Sequence, residues 1–238
     1  MPLPGAILRG VVERPMKGQG GVFVRLPGGN GFLRGAGGLA PGQRVLVQIS
    51  GWAEPGKALP LTERLLLKGR FAIVTPGAPG VNLARSLRDD EARAHLAALA
   101  TDAMAGAAED LGLILRSAAA GAEDDEITAE ISSLRALAEA ILADTAGGPE
   151  LLLEGAGAQE TALRDWTWPA PDAVEEGGFA AHGLAEMIAD ALAPMAPLPG
   201  GGSLIIEPTR ALVAVDVNTG ADTSPAAGLK ANIAAARD

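Results

Sequence analysis

The residues whose types and spacing suggest chemistry most directly lie near the C-terminal end of the chain. An apolar run at 212–215 leads into Asp216, and Asn218 follows two residues later. In an extended strand these two side chains lie on the same face, because successive side chains alternate between faces. A carboxylate at a strand end can hold Mg²⁺, which prefers hard oxygen ligands and can activate water for phosphodiester cleavage. The same residues could instead form an Asx-turn that closes a buried strand, and the spacing leaves both interpretations open.

A second group of candidates combines aromatic and basic side chains in residues 6–65. Phe23 and Phe32 are two of the four phenylalanines, and each lies on a predicted strand beside a glycine-rich hairpin. The basic side chains around them are Lys17, Arg25, Arg34 and Lys57. Exposed aromatic rings stack on nucleic-acid bases, contributing about 1–3 kcal/mol each, and nearby cations hold the phosphates. The alternative is that both rings fill the interior of a barrel.

The charge distribution separates the N-terminal part of the chain from the rest. Residues 1–70 carry ten Lys and Arg against three acids, a formal charge of +7. The remaining residues carry nine basic and 26 acidic side chains, or −17, so the whole chain stands at −10. Such a split indicates a polyanion-binding part joined to another part. A basic barrel beside an acidic, alanine-rich helical surface would give the same numbers.

Composition and motifs exclude or weaken several other functions. The chain has no cysteine, which excludes disulfides and thiolate metal sites. His95, inside a predicted helix, and His182, just before another, are expected at the surface or at a cap. The glycines at 200–202 lack the Lys-Ser/Thr of a phosphate-binding loop. No apolar run approaches the ~20 residues of a membrane span, and no secretory signal is recognised, so we expect a cytoplasmic protein.

The elements that must position these residues fall into two patterns. The first consists of five short predicted strands, at 6–12, 21–26, 31–34, 44–49 and 58–61, with a glycine-rich hairpin at 27–31. This pattern is typical of a small closed barrel, most often an OB-fold. After residue 68, strands at 71–75, 112–116 and 151–154 alternate with helices at 89–108 and 127–142. That alternation predicts an α/β layer.

The C-terminal third is predicted to continue with further strands and helices. A helix begins at 161, a loop covers 167–180, and another helix covers 182–192. Two strands follow at 204–207 and 212–216, with a final helix from 229.

The order of short motifs in the barrel region resembles a known RNA-binding domain. The segments 8–12, 21–24, 31–33 and 42–49 are similar to the OB-fold domain named after ribosomal protein S-one. The resemblance implies that Phe23, Phe32 and Lys57 contact single-stranded RNA.

The segment 200–220 resembles the signature of the ribonuclease E/G family, a Gly-Gly-Ser strand, a turn, and a strand ending in Asp-(Ile/Val)-Asn. The resemblance implies that Asp216 is a catalytic Mg²⁺ ligand, which Asn218 orients through a hydrogen bond. Residues 229–236 are similar to the helix that follows in the family, including its Asn.

Segments 69–76, 81–85 and 112–118 are also similar to the family. There the resemblance implies a pocket for the 5′-monophosphate of RNA, formed by Gly69, Ile73, Arg85, Arg116 and Ser117. Arginine binds phosphate through two hydrogen bonds and a hydroxyl adds a donor; Ser117 replaces the usual Thr. The alternative for Arg116 is a residue that caps a strand and pairs with an acid. Residues 163–166 resemble a family segment without an assigned role.

The resemblance implies a mixed α+β and α/β fold in three parts. An OB-fold RNA-binding barrel covers residues 1–67, an RNase H-like α/β region with the 5′-end sensor covers 68–180, and the start of a DNase I-like, metal-binding subdomain covers 181–238. Family members begin with at least one strand before the barrel and end with a second metal-binding aspartate, and neither is found here. Asp222 is too close to Asp216 along the chain to be assumed a substitute.

The expected function is that of a Mg²⁺-dependent endoribonuclease that cleaves single-stranded RNA in RNA processing, with 5′-monophosphate sensing. We expect this chain by itself to be inactive or weakly active, and a non-catalytic RNA-binding module is the alternative. The zinc-binding cysteine motif that joins subunits in larger relatives is absent. Dimerisation is therefore left open, and any homo-oligomer would form through the catalytic region.

Overall fold

The computed structural model describes residues 2–16, 20–35, 37–166 and 172–237. Lys17 and residues 167–171 of the predicted loop lie outside this part of the chain. The chain divides into two compact units, Met1–Pro169 and Ala170–Asp238. None of the helices in the described ranges is long and apolar enough to cross a membrane.

Five strands at the start of the first unit close into a barrel. They are β1 (Ile7–Met16), β2 (Gly21–Leu26), β3 (Gly29–Arg34), β4 (Arg44–Ile49) and β5 (Leu59–Thr62). The order around the barrel is β1-β2-β3-β5-β4, and β4 pairs with β1 to close it. Neighbouring strands are antiparallel except for the parallel pair β3 and β5. The OB-like barrel predicted from the short strands and glycine-rich turns is confirmed.

Side-chain alternation along the strands determines which residues fill the barrel. On β2, Val22, Val24 and Leu26 are buried, whereas Phe23 and Arg25 lie on the outer face. The interior is completed by apolar side chains from the other strands, among them Leu8, Val12, Leu33, Val45, Val47, Ile49 and Leu61. Each fully buried side chain of this kind contributes about 1.5–3 kcal/mol relative to exposure. The same alternation leaves the outer face of β2 and β3 available for contacts.

The rest of the first unit is an α/β layer. It contains β6 (Leu67–Lys68), β7 (Ala72–Pro76), β8 (Gly80–Leu83), α1 (Asp90–Ala103), β9 (Leu111–Leu115), a 3₁₀ helix (Ser117–Gly121), α2 (Asp124–Ala143), β10 (Glu150–Leu153) and α3 (Ala158–Asp165). The sheet order is β6-β7-β9-β8, with β9 antiparallel to β7 and parallel to β8. Strand β8 was not predicted, because its four residues follow Pro79 and depend on β9 for their pairing.

The two long helices of the layer pack through the apolar stripes that their spacing predicts. In α2, Ile127, Ile131, Ala138 and Ile141 are buried in the core of the layer. Helix α1 begins where the Asp89 carboxylate accepts a hydrogen bond from the Ala92 N–H at 2.7 Å. It ends at Ala103 rather than at the predicted residue 108, because Gly106 adopts a left-handed φ of 74° that a helix cannot continue through.

Strand β10 joins the barrel sheet instead of the α/β sheet. It pairs antiparallel with β1, where Arg9 lies opposite Glu150. The Arg9 side chain is 3% exposed, donates to the Gly148 carbonyl at 2.9 Å, and forms ion pairs with Asp144 and Glu150. Since Ile7 of β1 also belongs to the core of the α/β layer, one strand contributes to both parts of the unit.

The second unit contains a small antiparallel sheet and three helices within residues 172–237. Its elements are α4 (Gly178–Ala181), α5 (Leu184–Ala191), β11 (Met195–Leu198), β12 (Gly202–Pro208), β13 (Val213–Asn218) and α6 (Pro225–Ala235). The sheet order is β11-β12-β13. Strand β11 was not predicted, because Pro194 and Pro197 are typical of a loop.

Element boundaries in this unit differ from the prediction, including those of both predicted strands, which cover 202–208 and 213–218 instead of 204–207 and 212–216. The final helix α6 begins at Pro225 rather than at 229, because the Ser224 hydroxyl accepts from the Ala227 N–H at 3.2 Å and Pro225 is favoured at the first helical position. Helix α5 begins at Leu184 rather than at 182, because Gly183 has a φ of 61°. The short helix α4 overlaps the end of the predicted loop at 167–180.

Candidate functional site

Phe23 and Phe32 form an aromatic pair on the outside of the barrel. They lie directly opposite each other on β2 and β3, with ring centroids 5.3 Å apart and planes inclined by 61°. Both rings are partly exposed, whereas their neighbours Val22, Val24 and Leu33 are buried. The alternative in which the two rings fill the barrel interior is therefore wrong.

Gly21 provides the space in which the Phe32 ring lies. It is opposite Arg34, diagonal to Phe32 across the strand pair. A Cβ atom on Gly21 would lie 2.7 Å from Phe32 Cζ and 2.5 Å from the Leu33 carbonyl oxygen, closer than real Cβ contacts allow. The glycine therefore leaves open the space that one ring of the pair occupies.

Cations surround the aromatic pair on the same face. Arg25 lies two residues beyond Phe23, and Arg34 lies two residues beyond Phe32, so strand alternation places both on the outer face, where both are exposed. Lys57 is in the loop between β4 and β5 and forms an exposed ion pair with Glu54. Such a surface pair stabilises a protein by at most about 1 kcal/mol, so Lys57 can exchange Glu54 for a phosphate at little cost.

A second group of predicted residues is centred on Arg116, at the end of β9. Its guanidinium donates to the carbonyl oxygens of Gly69 at 2.6 Å and Arg164 at 3.3 Å, and to Asp165 Oδ1 at 2.8 Å. Asp165 also accepts two hydrogen bonds from the Arg164 side chain, each 3.0 Å long. These bonds, chiefly those from Arg164 and then from Arg116, lower the pKa of Asp165 to about 2. The same interaction raises the pKa of Arg164. Arg116 thus has an acidic partner within the protein.

The loop that presents Gly69 is fixed by a carboxylate from α2. Glu130 accepts hydrogen bonds from the backbone N–H groups of Arg70 at 2.9 Å, Phe71 at 2.7 Å and Ala72 at 2.9 Å. A Cβ on Gly69 would lie only 2.3 Å from a Glu130 oxygen, so the position accepts only glycine without rearrangement. Glu130 therefore holds the loop in the conformation in which the Gly69 carbonyl meets Arg116.

The remaining residues of the predicted 5′-phosphate pocket lie around the same sheet. Arg85 is exposed in the turn after β8, which runs parallel to β9, so that Arg85 and Arg116 leave the sheet at the same edge. Ser117 is exposed at the start of the 3₁₀ helix. Ile73 is half-buried within β7, opposite Ile114. An open cleft of about 700 Å³ borders this group, and its lining includes Lys68, Gly69, Arg70, Glu130 and Arg164.

Asp216 and Asn218 lie on one face of β13, as their spacing predicts. Asn218 Nδ2 donates to Asp216 Oδ2 at 2.9 Å, and both side chains are exposed. The strand continues to Asn218, so the turn considered as an alternative is not formed. The expectation of a buried strand is also wrong, because Val213 and Val215 are each 60% exposed. Strand β13 is an edge strand of the described sheet, and the face that carries Val213 and Val215 is left exposed.

The donor set at Asp216 suits a single hard cation. Asp216 Oδ2 is oriented by Asn218, while Oδ1 accepts no hydrogen bond from any described residue. Mg²⁺ commonly binds through one or two carboxylates together with water and substrate phosphates. Among residues 2–16, 20–35, 37–166 and 172–237, no group of three or more acidic, His or Cys side chains could hold a metal ion. The residues therefore fit a cation that takes most of its ligands from water and substrate.

Asp222 and the two histidines have partners of their own. Asp222 accepts a hydrogen bond from the Ser224 N–H at 2.9 Å in the turn before α6, which lowers its pKa. His95 is paired with Asp124 at 2.9 Å and His182 with Glu175 at 3.1 Å, all on the surface.

The contacts of three residues around Arg116 could not be identified from the sequence. These residues are Glu130, Arg164 and Asp165. Arg164 and Asp165 lie more than forty residues from Arg116, at separations of 48 and 49. Glu130 is one of several acids on α2, and only the fold brings it to the loop at 70–72. The segment 163–166, which contains Arg164 and Asp165, was noted only because it resembles a segment of the ribonuclease E/G family.

Comparison with known proteins places these features in one family. The model of the Ribonuclease E/G family matches residues 66–175 and 172–238. Ribonuclease E of Nostoc sp. is 30% identical over 275 residues, an alignment that covers 93% of this chain and 40% of that protein. Ribonuclease E of Synechocystis sp. is 29% identical over 224 residues, covering 79% of this chain and 33% of that protein. The chain therefore spans less than half the length of these two relatives. From the family match over most of its length, the chain belongs to the Ribonuclease E/G family.

Proposed function

We propose that this chain provides the RNA-binding and metal-binding parts of a cytoplasmic endoribonuclease that cleaves single-stranded RNA. Residues 1–67 would bind the strand, residues 68–180 would bind its 5′ end, and residues 181–238 would hold the metal. The name Ribonuclease E carried by its relatives supports the class of reaction. The observation that carries the proposal is Asp216, exposed on β13 with one oxygen bonded to Asn218 and the other open.

The outer face of β2 and β3 supports binding of a single strand without strong sequence preference. Every base has a face that can stack on Phe23 or Phe32, whose rings are already positioned by one another. Arg25, Arg34 and Lys57 provide the positive charge that holds the phosphates. Because this binding relies on stacking and charge, it favours unpaired RNA over a duplex, in which the base faces are covered.

The Arg116 cluster supports recognition of a 5′-monophosphate. Arg116 and the Ser117 hydroxyl would donate to the phosphate, and Arg85, which forms no ion pair with any described residue, would add a free cation at the same sheet edge. Asp165 limits the available charge, because its carboxylate already accepts from Arg116. A terminal phosphate, which carries more negative charge than an internal one, would bind these donors more strongly.

Mg²⁺ at Asp216 would supply a Lewis acid and an activated water for phosphodiester hydrolysis. Asp216 would hold the ion through its open oxygen. Asn218 would keep the carboxylate in one orientation, because the hydrogen bond from its side-chain amide to Oδ2 restricts rotation of the Asp216 side chain. The exposure of both side chains leaves room for an RNA phosphate beside them.

Cleavage of a 5′-monophosphorylated, single-stranded RNA in the presence of Mg²⁺ tests this function on the protein in its full encoded length. We expect Asp216→Ala to lower the cleavage rate by at least about 100-fold, as expected when a metal ligand is lost. Asp190→Asn is the matched control, since it removes an exposed carboxylate from α5, outside the sheet that carries Asp216. Equal rates in the two variants would refute the assignment of Asp216.

A non-catalytic RNA-binding module is the second candidate. The observation that favours it is that no group of three or more acidic, His or Cys side chains among the described residues could hold a metal ion. This candidate predicts binding that depends on Phe23 and Phe32 with no Mg²⁺-dependent product at any enzyme concentration. The same assay therefore separates the two.

A further inference from the structure

Trp52 has no structural role that explains its position. Its side chain is 71% exposed, more than that of any other aromatic residue among the exposed large hydrophobics of the described chain. It lies in the loop between β4 and β5, beside small and polar residues. Single exposed apolar side chains are common on protein surfaces, so the significance of Trp52 depends on what surrounds it.

The loop that carries Trp52 leads directly to the aromatic pair. Phe23 lies opposite Phe32, Phe32 lies opposite Pro60 on β5, and the Ser50 N–H donates to the Pro60 carbonyl at 3.0 Å. These residues form one row across neighbouring strands. With strands about 4.8 Å apart, the Ser50 backbone lies roughly 10 Å from that of Phe32. Trp52 follows two residues later, a reach of at most about 7 Å more.

The chemistry of this surface favours a nucleic acid over a protein partner. Within the described barrel strands and their connections, Trp52 is the only exposed large hydrophobic side chain, and a single ring is too small an apolar patch for a protein interface. Lys57 is in the same loop, and Arg25 and Arg34 are on the adjoining face. An isolated aromatic ring among cations is the arrangement with which single-stranded nucleic acids are bound.

We propose that Trp52 is a third stacking platform for single-stranded RNA, which extends the Phe23–Phe32 site along the β4–β5 loop. The proposal rests on the proposed RNA-binding function of the barrel. In OB-folds the face of strands 2 and 3 and the loop between strands 4 and 5 are the surfaces that bind oligonucleotides. Trp52 would take one base, and Lys57, on the same loop, would hold an adjacent phosphate.

The fluorescence of Trp52 provides a direct test, because stacking on a base quenches an indole. The chain has three tryptophans, so Trp166→Phe combined with Trp168→Phe leaves Trp52 as the only reporter. Titration with an unlabelled ten-nucleotide oligoadenylate should quench this emission. The quenching should saturate at the same concentration as binding measured separately by anisotropy of an end-labelled oligoadenylate.

The affinity of variants completes the test. Trp52→Ala should weaken oligoadenylate binding by about 5- to 20-fold, the loss expected for one stacked base. Trp166→Phe is the control and should leave the affinity unchanged. Binding that persists with no quenching, and with full affinity in Trp52→Ala, would overturn the role of Trp52 alone. If the unmodified chain binds no RNA, the proposed RNA-binding function of the barrel fails together with this proposal. Failure of the Trp52 proposal alone is recognised because RNA binding then persists.

Discussion

The substitution Asp165→Asn is predicted to remove the charge that organises the Arg116 cluster. Asp165 accepts hydrogen bonds from the side chains of Arg116 and Arg164, and its pKa is lowered from 3.8 to about 2. The asparagine keeps the size of the side chain and one acceptor oxygen but loses the negative charge. Arg116 retains its bonds to the Gly69 and Arg164 carbonyls, so the cluster should persist in a weakened form.

The magnitude follows from the displacement of the pKa. A fall from 3.8 to about 2 corresponds to at most ~2.5 kcal/mol of additional folding stability while the carboxylate is ionised. Because the Asp165 side chain is 31% exposed, solvent screening reduces this to about 1–1.5 kcal/mol. A pKa that is lower in the folded state gives stability that is fully present above about pH 5 and is lost as the pH falls from about 4 to 2. About half should remain at pH 3.

Urea unfolding followed by far-ultraviolet circular dichroism measures this effect at pH 7 and at pH 3. Asp165→Asn should lower the free energy of unfolding by about 1–1.5 kcal/mol at pH 7, and the difference from the unmodified chain should shrink by about half at pH 3. Asp102→Asn, which removes an exposed carboxylate from α1, is the control and should change stability little at either pH. A difference that stays constant between the two pH values would refute the electrostatic explanation.

Three further predictions concern the barrel. Phe23→Ala should weaken binding of a single-stranded oligoadenylate by about 1–3 kcal/mol in an anisotropy titration, whereas an unchanged affinity would exclude stacking on the outer face. The Arg25→Gln and Arg34→Gln double variant should reduce the slope of log K against log salt concentration by about 1.4, because each phosphate contact on a single strand contributes about 0.7. An unaltered slope would contradict the proposed phosphate contacts. Arg9→Met should lower the free energy of unfolding in urea by about 2–4 kcal/mol. The substitution leaves the Gly148 carbonyl without its donor and breaks the ion pair with Asp144. A change below about 0.5 kcal/mol, the usual limit for surface substitutions, would contradict this role.

The parts of the fold that follow from local pattern could be predicted from the sequence. The barrel strands show period-2 alternation between glycine-rich turns, and the α2 stripe repeats at helical spacing, so each element is specified by its own residues. Strands β8 and β11 have only four residues each and include or follow proline and glycine. Their extended conformation depends on hydrogen bonds to β9 and β12, which the local sequence does not encode.

The candidate site shows the same division between local and distant information. Asp216 and Asn218 were expected on one face because they are two residues apart, and their hydrogen bond follows from that spacing. The exposure of β13 was not expected, because an apolar strand buried by neighbours and one left open have the same sequence pattern. The partners of Arg116 and of the loop at 70–72 come from residues 47 to 60 positions away, so only the packed structure identifies them.

Metal binding at Asp216, observed without reference to turnover, tests the account's central claim most directly. In a Mn²⁺ titration of the ¹⁵N-labelled chain, the backbone amide signals around Asp216 and Asn218 should broaden before those elsewhere, because a paramagnetic ion at the open carboxylate oxygen relaxes the nearest nuclei. The broadening should be reversed by excess Mg²⁺, should disappear in Asp216→Ala, and should persist in Asp190→Asn. Broadening that is the same in Asp216→Ala, or that is strongest at other acids, would contradict the claim that β13 presents this carboxylate to a divalent ion.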